Sequence, residues 1–430
     1  MKRIAFLSGF ISGLLTSGII LPAYSQVTSD NTTNTTINPN GNNFDILNGI
    51  QKGNNLFHSF KEFSIPKGGS ATFQHKDAIE NIINRVTGGN ISNIDGLIKS
   101  QGNANLFLIN PAGIVFGENA KLDIGGSFLG STASSILFED GFEFSTVNPE
   151  NASLLTVSVP LGLQMGTNPG EINNRSTVDG VGLEVSSGKS LVLAGGTIAL
   201  EGGRLRSPGG QIELLSVAEA GKLDLTIDGN DIRLSMPSLQ RADVSLSDGA
   251  RVNVSGTPGG RISVKAENVN LSEGSQLRSG ISGVGTSESQ AGDIEIDAAN
   301  TINIDESGIL NQVSTGMVGN AGNINITTGS LIANNGSYIV TNTRGTGNAG
   351  EVNIQAAKTV SFDGIDGFGN PSLIFTGVNR GAIGNGGELN IKAESLSVTN
   401  GAYIAGSTIG RGNGGTINLQ TKTATFSGRD

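Results

Sequence analysis

The chain has 430 residues, with 65 Gly, 11 Pro, no Cys, no Trp and a formal net charge of −10 at pH 7. Glycine at about twice its usual share, without a strict G-x-y period, excludes collagen, and the few prolines exclude a Pro/Gly linker protein. With 36% hydrophobic residues the chain can bury a core, and its acidic balance argues against nucleic acid as a partner.

The first 25 residues read as a secretory signal. Lys2 and Arg3 open it, Ile4 to Leu21 is largely apolar, and Ala23-Tyr24-Ser25 offers a small-x-small site for cleavage before Gln26. The alternative is a membrane anchor, but Ser8, Gly9, Ser12, Gly13, Thr16, Ser17 and Gly18 dilute the apolar run. Losing Lys2 and Arg3 takes the charge from −10 to −12. The expected partners at this stage are the Sec translocon and signal peptidase. Without cysteine the exported chain has no disulfide to stabilise or lock it, which suits a protein that crosses a second membrane unfolded.

Residues 26 to about 165 form the next segment. It holds both histidines, His58 and His75, and 11 Phe between Phe44 and Phe144. Ala78 to Val86 is its most helix-like window, although Ile82, Ile83 and Val86 suit a strand equally. Two Asn-Pro-x-Gly sequences, Asn38-Pro39-Asn40-Gly41 and Asn110-Pro111-Ala112-Gly113, each predict a tight turn between strands. Pro would set the first central φ and Gly would accept a left-handed second one.

The run Asn84-Arg85-Val86-Thr87-Gly88-Gly89 precedes Ala104-Asn105-Leu106-Phe107-Leu108-Ile109-Asn110-Pro111-Ala112-Gly113-Ile114. Leu122-Asp123-Ile124-Gly125-Gly126-Ser127-Phe128-Leu129 follows, and Asn55-Leu56-Phe57-His58-Ser59-Phe60-Lys61-Glu62-Phe63 lies upstream. Over residues 30–145 this order resembles the N-terminal secretion (haemagglutination activity) domain of filamentous-haemagglutinin-type exoproteins of two-partner secretion. The resemblance implies a capped β-helical domain and export through an outer-membrane β-barrel transporter whose periplasmic domains recognise it. It also assigns a recognition or domain-shaping motif to Asn110, Pro111, Ala112, Gly113 and Ile114, with Asn38, Pro39, Asn40 and Gly41 as a second candidate. Two departures stand out: the family's separate Asn-Pro-Asn-Leu motif is not found, and the Cys pair that some members carry is absent.

From about Gly210 one unit recurs: Gly, any residue, apolar, polar, apolar. It appears at Gly210, Gly260, Gly292, Gly322, Gly350, Gly387 and Gly415, with spacings from Gly260 of 32, 30, 28, 37 and 28 residues. A second register, apolar-x-apolar-x-x-Gly, follows inside the units, as in Val269, Leu271 and Gly274. Alternation over four or five residues is the strand period, and the glycines are expected to supply positive φ at corners. Short strands, Gly corners and a ~30-residue period predict an all-β fold, a right-handed parallel β-helix with an N-terminal cap and extra-helical hairpins. Asn325, Asn353, Asn390 and Asn418 occupy the same repeat position, which predicts a column of stacked amides. At roughly 25–30 residues per coil the mature chain would make about 14–16 coils, a rod of about 70 Å. The last repeat stops in its second strand, where Lys422 to Gly428 echoes Lys358 to Gly364. The expectation is therefore a chain that is part of a longer one.

Other motifs weigh little. Gly345-x-Gly347-x-x-Gly350 and Gly410-x-Gly412-x-x-Gly415 match a dinucleotide fingerprint, but both lead into repeat strands where a helix would be needed. Two His without Cys offer little for a zinc site or a catalytic triad. Asp293, Glu295 and Asp297 share one face and read either as a Ca²⁺ or acid/base site or as a solvated face, the latter favoured because neighbouring repeats lack a match. No catalytic residue, metal site or cofactor is predicted. Domain organisation reads as signal 1–25, secretion domain 26–165 and β-helix passenger 166–430. The expected product is a non-enzymatic secreted or surface adhesin, with a host-cell or matrix surface as its target. The alternatives are a β-helical polysaccharide lyase or the stalk of a larger effector.

Overall fold

The computed structural model describes residues 26–428, apart from 77, 150–154, 230 and 237. The secretory signal and its cleavage after Ser25 lie outside the described residues. The chain coils as a parallel β-helix of three faces. On the first face, strands such as Asn81–Val86, Asn105–Ile109, Ser190–Gly195 and Gln211–Ser216 stack in parallel register. The second carries Ser92–Ile94, Ile114–Phe116, Ile172–Asn174 and Ile198–Glu201. The third carries Gln276–Ile281, Gly308–Val313, Tyr338–Thr343, Leu373–Val378 and Tyr403–Thr408. In the repeats, long strands such as Ile324–Asn334 and Val352–Asp363 bend across a register shift and serve two faces at once. Of the window Ala78–Val86, Asn81–Val86 resolves as strand.

Inside the coils, equivalent apolar residues lie over one another. Ile262, Ile294, Ile324, Val352 and Leu389 form one such column, each with no exposed surface. Such columns run along the spindle as one continuous hydrophobic core, worth about 1.5–3 kcal/mol for each fully buried aliphatic side chain. The front is closed by antiparallel pairing, Val27–Ser29 and Ile50–Lys52 both lying against Asn55–Phe63.

Two segments leave the spindle. Ser135–Phe138, Glu143–Ser145, Pro160–Met165, Gly221–Asp228 and Asp231–Ser235 make a five-stranded antiparallel outer sheet. It packs Ile136, Phe138, Phe144, Leu163 and Leu223 onto Phe57, Ile83, Phe107, Leu129 and Val192 of the first face. That face is therefore buried on both sides up to Ser216, and Ser190–Gly195 is buried at every position. Residues spent on the outer sheet correct the expected coil count. Among the described residues twelve strands stack on the first face, from Asn55–Phe63 to Ile417–Gln420, a length of about 55 Å.

The glycines divide into two kinds, which corrects the expectation that all of them supply positive φ. Gly249, Gly274 and Gly401 of the second register do so, at +70°, +80° and +91°. The leading glycine of each unit does not. At Gly350 a Cβ would stand 2.0 Å from the carbonyl oxygen of Gly322, the glycine of the coil before. Gly387 and Gly415 repeat this against Gly350 and Gly387 at 2.0 and 2.1 Å. Close approach of successive backbones, rather than a left-handed turn, fixes this position.

Candidate recognition site

Asn110 ends the strand Asn105–Ile109 and has no exposed surface. Its Nδ2 donates to the Asn90 carbonyl and to Ser92 Oγ, both at 2.9 Å, while its Oδ1 accepts from Ala112 N–H at 3.0 Å. Gly113 N–H returns to the Asn110 carbonyl at 3.1 Å, so Pro111 and Ala112 are the central residues of the turn. Gly113, expected at the second central position, is the fourth residue instead, with φ +129°. A Cβ there would meet the Glu171 carbonyl at 3.0 Å. Ile114 is fully buried and enters the next strand, Ile114–Phe116. Pro111 and Ala112 alone leave part of their surface free. The motif thus binds three neighbouring coils into one corner.

The second candidate has a different structure from the one expected. Asn38, Pro39 and Asn40 lie inside the strand Thr35–Asn40, opposite Asp45, Phe44 and Asn43 of its hairpin partner Asn43–Asn48. The turn falls on Gly41 and Asn42, with Gly41 at φ +61°, the first central position where a two-residue hairpin accepts positive φ. Pro39 is tolerated because this strand forms the edge of its sheet. Asn38 to Gly41 are all exposed. Among the described residues, no hydrogen bond or strand pairing joins the two motifs.

Arg85, within the Asn84–Gly89 run, is a residue whose function was not legible beforehand. Its guanidinium is buried, with Nε donating to Ser59 Oγ at 2.8 Å and Nη1 to the Ser145 carbonyl at 2.6 Å. Nη2 donates to Thr32 Oγ1 at 2.9 Å and to the Pro149 carbonyl at 2.6 Å, and the group lies 4.2 Å from the centre of the Phe144 ring. Burial pulls its pKa down to about 10, against the opposing charge of Asp30. Burial pushes the Asp30 carboxyl up, but hydrogen bonds from Ser59, Thr32 and Thr87 outweigh it and leave the group below its ordinary value. One side chain therefore latches the front segment, the first coils and the outer sheet together. Gly88 completes the run by close approach, since a Cβ would lie 2.0 Å from the Lys61 carbonyl.

Both histidines, Asp293 and Asp297 are structurally engaged. His58 is buried against Thr35 Oγ1 at 3.0 Å, whereas His75 sits at the surface on the Gln101 carbonyl at 2.6 Å. Asp293 accepts from Asn323 N–H at 2.7 Å, and Asp297 pairs with Arg241 at 2.8 Å. Among the described residues no cluster of three or more His, Cys, Asp or Glu could hold a metal ion. The two Gly-x-Gly-x-x-Gly runs are corner loops, each followed by a repeat strand such as Val352–Asp363.

The model of one protein family, the TPS secretion domain, matches residues 25–264. The chain belongs to the TPS secretion domain family. Among solved structures the chain is similar to the HMW1 secretion domain from Haemophilus influenzae, with 19% identity and a TM-score of 0.61 over 94% of this chain and 98% of that one. The filamentous hemagglutinin secretion domain aligns with 14% identity and a TM-score of 0.37 over 83% of this chain and 99% of that one. No curated protein matches the chain. A TPS secretion domain marks an exoprotein exported by two-partner secretion, and implies a partner outer-membrane transporter.

Proposed function

We propose that this TPS exoprotein is an adhesin of the filamentous-haemagglutinin type, exported through a dedicated outer-membrane β-barrel. Residues 26–165 supply the address read by the barrel's periplasmic domains, and 166–430 carry the spindle that begins there onward as the displayed part. The observation that carries this reading is the family match over 25–264 on a chain whose front is stoppered and whose coils continue beyond the match. Each coil gains buried area and a ladder of backbone hydrogen bonds by docking on the one before it, so folding outside the cell biases movement outward without a nucleotide energy source.

Within the address the two motifs have separate roles. Asn110 to Ile114 shapes the corner, and the exposed Asn38–Gly41 hairpin is the part presented to the transporter. Expressing the full chain with and without its transporter tests the scheme. Export should require the transporter, and cells displaying the chain should adhere to a matrix-coated surface better than cells lacking it. Asn110→Ala should lower both stability and export, whereas Asn38→Ala with Asn40→Ala should lower export alone. Equal extracellular yield without the transporter would refute the export scheme; unchanged adherence would refute the adhesin role.

A further inference from the structure

Among the described residues, three arginines on the third face have no acidic partner. Arg204, Arg251 and Arg278 project from adjacent coils, and Arg204 and Arg251 are register partners. The Nε atom of each is buried without a hydrogen-bond partner. Among the described residues the Arg251 and Arg278 side chains make no ion pair, although the chain as a whole is acidic. Burial, together with the charges of Arg278 and Arg204, holds Arg251 below its usual value. Stacked like charges destabilise a fold, so their presence calls for a counter-charge from outside.

Along the same face the surface turns aromatic. The Tyr338 ring lies back over Gly308, where a Cβ would stand 2.2 Å from it, and register links it through Gly308 and Gln276 to Arg251, while Arg278 leads through Leu310 and Val340 to Phe375. From there a groove of about 830 Å³ runs over Tyr338, Phe375 and Tyr403. Asn342, 4% exposed, lines it with an Oδ1 that accepts no hydrogen bond. Two carboxylates line the groove: Asp366 is taken up by Asn370 and the backbone N–H of Phe368, and Glu306 is exposed, with the Arg344 cation on the same lining.

We propose that this track binds an acidic oligosaccharide laid along the spindle axis, its carboxylates or sulfates on Arg251 and Arg278 and its rings on Tyr338, Phe375 and Tyr403. Three demands meet in that ligand. Guanidinium groups need anionic acceptors, the aromatic faces need flat apolar ring surfaces, and the Asn342 oxygen needs a hydroxyl donor. The extended shape of the groove suits a chain molecule over a single small anion. The inference deepens the adhesin reading and rests on it for its biological meaning, but it is measured without export or cells.

The purified full chain is titrated with oligogalacturonate, with a sulfated galactan oligosaccharide, with methyl-esterified oligogalacturonate and with polyglutamate. At least one acidic sugar should bind, and it should do so at least tenfold more tightly than the ester, with affinity falling as salt rises. Arg251→Gln with Arg278→Gln should weaken binding at least tenfold while leaving the thermal midpoint unchanged or higher, which a structural role for these arginines would not allow. Binding of neither acid, equal binding of acid and ester, or displacement by polyglutamate at matched charge would overturn the proposal. The ester comparison needs no variant, so it decides the matter even if the double substitution fails to fold. Failure here with normal transporter-dependent adherence would leave the adhesin reading standing.

Discussion

Asn353 stands in a column of amides, donating to Asn325 at 3.0 Å and accepting from Asn390 at 2.8 Å, with Asn418 continuing the column at 2.7 Å. Asn353→Asp removes the donor and sets a carboxylate against the Asn325 oxygen, so it should cost about 1–3 kcal/mol in urea unfolding. His58 sets a pH dependence. Burial, with a smaller contribution from His75, lowers its pKa to about 3, so the folded chain keeps it neutral where the unfolded chain takes up a proton. Its contribution is complete above about pH 6.5 and is lost as pH falls towards about 3, on the order of a few kcal/mol in all. The thermal midpoint should decline across that window, and His58→Gln should flatten the decline. The asparagine column was legible in the sequence because equal repeat spacing brings equal positions into contact. Arg85 was not legible in this way. Its partners Thr32 and Pro149 lie 53 and 64 residues away with no shared period.

The strand-and-corner unit was also readable, since alternation and leading glycines survive in every repeat. The reason for those glycines was not, because sequence shows a missing side chain but not the backbone that requires it to be missing. Gly350→Ala tests this directly. A methyl group 2.0 Å from the Gly322 carbonyl forces two coils apart, and the expected loss lies at the upper end of about 1–3 kcal/mol, read by thermal unfolding. Extra-helical hairpins were expected, but which segments build the outer sheet was not legible, for a different reason. Its strands pair antiparallel across long separations, as Gly162 does with Asp224, and carry none of the repeat register. A signal was nevertheless present. Asn105–Ile109 and Ser190–Gly195 are apolar on successive residues, the mark of strands covered on both faces, whereas Ile324–Asn334 alternates because its outer face is open.

For the molecule as a whole, nearest-neighbour stacking means that one defective coil interrupts everything beyond it. Ile324 is fully buried and its N–H bonds to the Glu351 carbonyl at 2.9 Å. Ile324→Pro deletes that bond from the ladder where the strand Ile324–Asn334 begins. If folding outside draws the chain outward, the extracellular fraction should fall several-fold while the amount reaching the periplasm stays level. Unchanged extracellular yield would count against folding as the driving force.

The stopper formed by Val27–Ser29 has a consequence for how such chains change over generations. Tandem duplication or loss of a whole unit downstream leaves every contact at the closed tip as it was, and each inserted unit adds a fixed rise of about 4.8 Å. Reach is then a heritable ruler, adjustable by recombination alone while the export credentials stay untouched.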